Sequence, residues 1–178
     1  MDGEPAAAAA AVEFNQVAPS SIRAPQSSVA EATTLIMVRH GRTELTEHRK
    51  ISGGDGENPD LSELGNRDAI EVAIELARVG NSGAFSFLPK PVAVIHSPIK
   101  RAAQTASKIA QKLDTEQVEL ADLREIGFGD WDGLTNEELF VGHEDHYQRW
   151  RGSYEVAPPN GESLKDFDFR VNRSLDLI

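Results

Sequence analysis

Two apolar, β-branched runs, Thr34 to Val38 and Pro91 to His96, have the length and composition of buried strands, and each is followed by a helix signal. The first helix is expected over Ser62 to Val79, with Ser62 as N-cap and Ile70, Ala73, Ile74 and Ala77 on one face, ended by Gly80 and Asn81. A second begins near Pro98 and puts Ala102, Ala106, Ile109, Ala110 and Leu113 on its buried side. A short strand around Val118 to Ala121 leads into a glycine-rich loop, Gly127 to Gly133. Strand-helix alternation of this kind builds an α/β domain, a parallel sheet with helices on its faces. The last segment starts at Asn160-Gly161-Glu162 and carries Leu164, Phe167, Val171, Leu175 and Ile178 at helical spacing. No glycine follows its last apolar position and its final turn carries no cation, so the pattern reads as a domain that stops on an apolar helix still needing a partner. Residues 1–33 mix Ala, Ser, Pro, Gln and Glu, with Pro5, Pro19 and Pro25 interrupting any helix; they are expected to be a disordered tail ahead of a domain over 34–178.

Length and charge narrow the chemistry. At 178 residues the chain holds one domain and not two. A formal net charge of −11 with pI ≈ 4.9 excludes broad contacts with nucleic acid or anionic membrane surface, which select basic stripes, so any anion must be held locally. The absence of cysteine removes disulfides, thiolate metal sites and a cysteine nucleophile, and leaves histidine as a leading soft nucleophile. Asp2 and Glu4 stand ahead of the Ala6–Ala11 run where a signal peptide carries positive charge, and no apolar stretch approaches the roughly 20 residues of a membrane span. These features predict a soluble, cytoplasmic protein, with an organelle still open.

The chemistry gathers where strands end. Arg39, His40, Gly41, Arg42 and Thr43 follow directly on the first apolar run. In an open α/β sheet, ligands bind outside the carboxyl ends of strands, and a glycine there lets the backbone approach a bound group. A guanidinium fork matches phosphoryl oxygens with parallel charge-assisted bonds, and a neutral imidazole nitrogen can attack phosphorus. Ser97-Pro98-Ile99-Lys100-Arg101-Ala102 repeats the arrangement, a strand end, a helix start and a basic pair. Two such junctions open on the same edge of a parallel sheet, so Arg101 can converge on an anion held near His40, with a helix amino end adding ~0.3 to 1 kcal/mol. Glu125, between Leu123-Arg124 and the glycine loop, is placed either to supply a proton to a leaving oxygen or to form a salt bridge with Arg124 or another arginine. On the bland alternative, Arg39 and His40 simply finish a strand and Lys100-Arg101 is a surface pair.

These motifs in this order resemble the histidine phosphatase superfamily, the phosphoglycerate mutase-like proteins. Arg39-His40-Gly41 resembles the signature triplet, Ser97 to Thr105 the second arginine motif, Leu123 to Gly133 the acid-bearing loop, and Gly161-Glu162-Ser163 with Arg170-Val171 the helix that follows. The resemblance implies a three-layer α/β/α sandwich with a mostly parallel central sheet, and a phosphomonoester hydrolase acting on a small phosphorylated metabolite without metal or organic cofactor. It implies that His40 becomes a phosphohistidine, that Arg39 and Arg101 grip the phosphoryl oxygens with help from Gly41, Thr43 and Thr46, and that Glu125 acts as acid and then base. Thr46 stands where many members have an asparagine. The Gly129-Asp130-Trp131-Asp132-Gly133 loop favours the phosphatase branch, and Tyr147 to Trp150 with Pro158 to Ser163 is similar to α-ribazole phosphatase-like members. The family also carries a second catalytic histidine, followed by glycine, at the end of a later strand. None of His40, His48, His96, His143 and His146 matches it, so the resemblance implies a domain missing its C-terminal strand-helix portion. Two alternatives stand beside hydrolysis: a truncated, catalytically weak form that binds phospho-ligands or a partner, and phosphoglycerate mutase-type phosphoryl transfer. Oligomeric state is not set by the sequence.

Other features read as structural. His143-Glu144-Asp145-His146 lacks the His-Glu-x-x-His spacing of a zinc helix and is expected to be a solvated charged face. His48 is read as a surface loop residue, His96 as a packed core or rim histidine, and Trp131 and Trp150 as packing anchors. Gly53-Gly54-Asp55-Gly56 lacks the Lys and Ser/Thr of a nucleotide-binding loop and is expected to be a flexible loop near the site.

Overall fold

The computed structural model of the chain describes residues 33–178; the tail expected over 1–33 lies outside them except for Thr33. Its α-helices and β-strands are α1 (Glu44–Glu47), α2 (Glu63–Leu76), β1 (Ala93–His96), α3 (Lys100–Leu113), β2 (Glu116–Glu119), α4 (Asn136–Arg151) and α5 (Leu164–Leu175). The result is a mixed α/β domain with a small parallel sheet. β1 and β2 pair in parallel, Ala93 with Glu116 through His96 with Glu119, and α3 is the crossover that makes the parallel pairing possible.

The run Thr34 to Val38 is not a strand. It makes no ladder with another strand among the described residues, and Leu35, Ile36, Met37 and Val38 are all exposed, Met37 at 95%. A β-branched apolar run has the propensity for a strand, but the hydrogen bonds that make one come from a neighbour. Arg39 and His40 are therefore fixed from their carboxyl side. The Gly41 N–H donates to Thr105 Oγ1 at 3.0 Å, and a Cβ on Gly41 would lie 2.3 Å from the Gly65 carbonyl oxygen of α2. In return, a Cβ on Gly65 would lie 1.9 Å from the Arg42 carbonyl oxygen. Gly41 makes room for the backbone of Gly65, and Gly65 for that of Arg42.

Helix α2 starts where its capping chemistry predicts, with Ser62 Oγ accepting from the Gly65 N–H at 3.1 Å. Its buried stripe differs from the one expected. Gly65, Ala69 and Ala73 face inward, whereas Ile70 and Ile74 are exposed, because the close approach to α3 is made through the smallest side chains. Helix α3 begins at Lys100, whose N–H is capped from a distance by Asn58 Oδ1 at 2.9 Å, and ends on Asp114 in the left-handed conformation, φ 53°. It buries Ala106, Ile109 and Ala110 as expected, and with them Arg101 and Thr105.

Helix α4 has no apolar periodicity to announce it. A capping box at its start, Thr135 with Glu138, sets its first turn, and a break in helical geometry at His143 (φ −139°, ψ 22°) lets its later residues wrap around Trp131. His143, His146, Tyr147 and Trp150 all pack against that fully buried indole, with the Trp131–His146 ring centroids 5.4 Å apart and edge-on. This corrects the solvated face expected for His143 to His146: only Glu144 and Asp145 point to solvent, while the His146 Nε2–H donates to the Ala157 carbonyl at 2.8 Å. Trp131 and Trp150 are the packing anchors expected of them. Helix α5 is capped by Ser163, which accepts from the Asp166 N–H at 3.1 Å. Phe167 and Val171 turn inward as expected, joined by Arg170 and Ser174, whereas Leu164, Leu175 and Ile178 are exposed.

Candidate active site

His40 and Arg101 meet although they lie 61 residues apart. The guanidinium Nε–H donates to His40 Nε2 at 3.2 Å, and His40 Nδ1 lies 2.8 Å from the Gly41 carbonyl oxygen. A carbonyl only accepts, so Nδ1 carries the proton and Nε2 the lone pair, and the arginine contact assigns the same tautomer independently. Burial holds the imidazole pKa below its ordinary 6.5. The Gly41 carbonyl opposes the shift, the charges of Arg101 and Arg39 reinforce it, and that of Glu125 opposes it. The ring is thus neutral at physiological pH, with its lone pair on Nε2, where it accepts from Arg101.

Arg101 is 1% exposed. Its Nη2 donates to the carbonyl oxygens of Ser52 at 2.9 Å and Gly53 at 3.4 Å, and Nη1 is buried with no partner. Glu125 and Asp132 act on it through space, but among the described residues no carboxylate forms an ion pair with it. Burial presses its pKa below the usual guanidinium value, with Glu125 and Asp132 opposing. A desolvated cation with an unused donor, against a histidine lone pair, is arranged to receive an anion that can accept several hydrogen bonds.

The other predicted residues fall into place unequally. Arg39 is exposed, and its charge acts on His40. Gly41 is buried against α2 and α3. Thr43 and Thr46 engage each other: Thr43, fully buried, caps α1 by accepting from the Thr46 N–H at 3.2 Å, and the two hydroxyls are 3.1 Å apart. Neither threonine hydrogen-bonds to His40 or Arg101. The Glu125 carboxylate accepts from the Ile126 N–H at 2.8 Å, while Arg124 pairs with Asp55. Arg124, one of the arginines offered as a salt-bridge partner for Glu125, is therefore paired with another carboxylate. His96 is a packed histidine, 8% exposed, held by the Ser97 carbonyl and Gln117.

Sequence reasoning missed the site's supports. Thr105 Oγ1 accepts from the Gly41 N–H and its hydroxyl donates to the Arg101 carbonyl at 2.8 Å; its spacing of four from Arg101 on one helix was the available signal. The segment 50–56 is zipped to the acid-bearing loop through Gly54 N–H to Ile126 O at 3.0 Å, Gly133 N–H to Ile51 O at 2.9 Å and Ile51 N–H to Leu134 O at 2.8 Å. A Cβ on Gly54 would fall 2.2 Å from the Glu125 carbonyl oxygen, so these glycines serve close packing rather than the flexibility expected of them. Among the described residues no group of three or more His, Asp or Glu is placed to hold a metal ion, and no helix is long and apolar enough to cross a membrane.

Comparison with known proteins shows the family. Residues 35–178 match the family model for the histidine phosphatase superfamily, branch 1. The chain is 39% identical over 146 residues to a bifunctional protein of Mycobacterium tuberculosis, spanning 82% of this chain and 37% of that protein. It is 33% identical over 142 residues to a 2,3-bisphosphoglycerate-dependent phosphoglycerate mutase of Bartonella tribocorum, spanning 78% of this chain and 64% of the mutase. The solved mycobacterial glucosyl-3-phosphoglycerate phosphatase in complex with VO3 superposes with a TM-score of 0.65 at 27% identity, over 77% of this chain and 60% of that one. The chain thus spans between about a third and two thirds of the length of these relatives.

Proposed function

Since the chain belongs to the histidine phosphatase superfamily, we propose that it is a phosphomonoester hydrolase working through a phosphohistidine at His40 on a small phosphorylated metabolite. The observation that carries this reading is the buried Arg101 guanidinium, bonded to the His40 lone pair and keeping Nη1 unpartnered. A phosphoryl group entering between them gives that donor an acceptor, and Arg39 adds positive charge from the solvent side.

In the first step the Nε2 lone pair forms a bond to phosphorus as the bond to the leaving oxygen breaks, and Glu125 gives that oxygen its proton. Arg101 turns its Nε–H from the imidazole to a phosphoryl oxygen, and the Gly41 carbonyl stabilises the charge arising on Nδ1–H. In the second step water attacks phosphorus, the Glu125 carboxylate takes the water's proton, and the N–P bond breaks to restore neutral His40. The test is hydrolysis of p-nitrophenyl phosphate, expected to fall by about 10⁴-fold in His40→Ala with folding intact. Equal turnover by the two proteins overturns the reading. The relatedness to a phosphoglycerate mutase supports a second reading, phosphoryl transfer between substrate positions. Positional exchange of phosphate on phosphoglycerate, without its release, would select it. Vanadate binding that is lost in Arg101→Met, with turnover at background, would select a binding form.

A further inference from the structure

Glu125 can alternate between acid and base only if its carboxylate returns to the same place, and it sits on an irregular stretch between two single-turn 3-10 helices, Ala121–Leu123 and Gly129–Trp131. One buried ion pair takes hold of that loop. Arg170 on α5 binds Glu162 through both arms of its fork, Nε to Oε1 and Nη2 to Oε2, each at 2.6 Å. Its remaining N–H groups donate to the loop's backbone: Nη1 to the carbonyls of Asp122 at 2.7 Å and Arg124 at 2.6 Å, and Nη2 to that of Glu125 at 3.1 Å. All five donors of the guanidinium are used.

Glu162 grips the same loop from beyond Glu125. Its Oε2 accepts from the Gly127 N–H at 3.3 Å, and its own N–H donates to the Gly127 carbonyl at 2.7 Å. The two side chains are 11% and 13% exposed, and the Arg170 guanidinium lies over the Phe167 ring, 4.9 Å from its centroid. Gly54 is pressed against the same Glu125 carbonyl oxygen. The backbone of the acid-bearing residue is thus held by charge-assisted hydrogen bonds and by a close glycine contact.

We infer that the Arg170–Glu162 ion pair is a positioning device that fixes where the Glu125 carboxylate stands relative to His40, and not merely an attachment for α5. This rests on the reading of Glu125 as the proton carrier. Three loop carbonyls and a carboxylate arranged around one planar fork also make the position specific to arginine, since lysine offers three donors and no plane.

The experiment reads position without needing turnover. The Glu125 charge bears on His40, so Glu125→Gln should lower the imidazole pKa of the full chain, followed by nitrogen NMR of the His40 ring. In an Arg170→Gln or Glu162→Gln background that effect of Glu125→Gln should disappear. Having both backgrounds keeps the test available if one fails to fold. In turnover of p-nitrophenyl phosphate, Glu162→Gln should lower kcat by about 10- to 100-fold with KM unchanged, and Arg170→Lys should not restore it. An Glu125→Gln shift of His40 that is the same in all backgrounds overturns the positioning role, whatever the activity. Loss of turnover in His40→Ala is a separate result and bears only on the phosphatase reading.

Discussion

Arg101 and Arg170 are both drawn out of solvent on helices, yet their guanidiniums end differently. Arg170 has a bidentate carboxylate and three carbonyls, so every donor is matched. Arg101 has two carbonyls, a histidine lone pair and a donor with nothing to meet. Folding alone explains the first, because a desolvated cation is tolerated when its partners are complete. It does not explain the second, where desolvation is incompletely repaid among the described residues; on the proposed reading the missing acceptor is a phosphoryl oxygen. Burial of an arginine is therefore not diagnostic by itself; the unfilled donor is what separates a binding position from a clamp.

Substituting each arginine by methionine should break this comparison most sharply. Arg170→Met leaves Glu162 buried without its partner and should destabilise the fold by about 3–5 kcal/mol in chemical denaturation. Arg101→Met removes a cation that has no ion-pair partner and should leave stability within about 1 kcal/mol of wild type. Its cost should appear instead in function, as a loss of about 10²- to 10³-fold in turnover together with loss of vanadate binding by calorimetry. Equal destabilisation by the two substitutions would remove the distinction.

A smaller effect is expected one layer out. Thr105→Val strands the buried Gly41 N–H and should cost about 1–3 kcal/mol in the same denaturation experiment, with Thr105→Ser recovering most of it.

Acid separates the two regions by titration. His40 has a folded-state pKa below its unfolded 6.5, so the unfolded chain binds the extra proton first; stability should decline as pH falls through 6.5 and level off below the folded pKa. Turnover should persist below pH 6.5 for the same reason, since the neutral ring survives there. Glu162 behaves in the opposite sense. Burial pushes its carboxyl up, but hydrogen bonds from Arg170 and the Gly127 N–H, with the charges of Arg170 and Arg124, outweigh burial and hold it below 4.5. Its contribution is present above 4.5 and is lost as pH falls through the lowered value. His40→Asn should erase the upper step of the stability curve alone, and Glu162→Gln the lower step alone.

How far the sequence disclosed all this depended on the kind of interaction. Ser62 before an amphipathic run located α2, and the apolar spacing after Pro98 located α3, because caps and periodicity are local. The convergence of His40 and Arg101 was expected from two strand-to-helix junctions on one sheet edge; it occurs although only the second junction follows a strand, because Gly41 is tied to Thr105 and packed against α2. The strand expected at Thr34 to Val38 failed because pairing is a property of a neighbour, not of the run itself. The inward face of α2 was missed because isoleucine outranks glycine and alanine on any hydrophobic scale, whereas a close helix contact prefers the smaller side chains. Helix α4 was hidden for a related reason: it buries aromatic and imidazole rings around one tryptophan, with no aliphatic stripe to count. The grip of Arg170 on backbone carbonyls 46 and 45 residues away leaves no trace in spacing, because carbonyls are present at every position.

The most direct measurement is to mix the protein rapidly with a phosphorylated substrate, quench in base, and map the phosphate by mass spectrometry. An acid-labile, base-stable phosphate on the imidazole of His40, lost in Arg101→Met, is the predicted result. Steady turnover with no phosphate at His40, or with phosphate on another residue, would contradict the account.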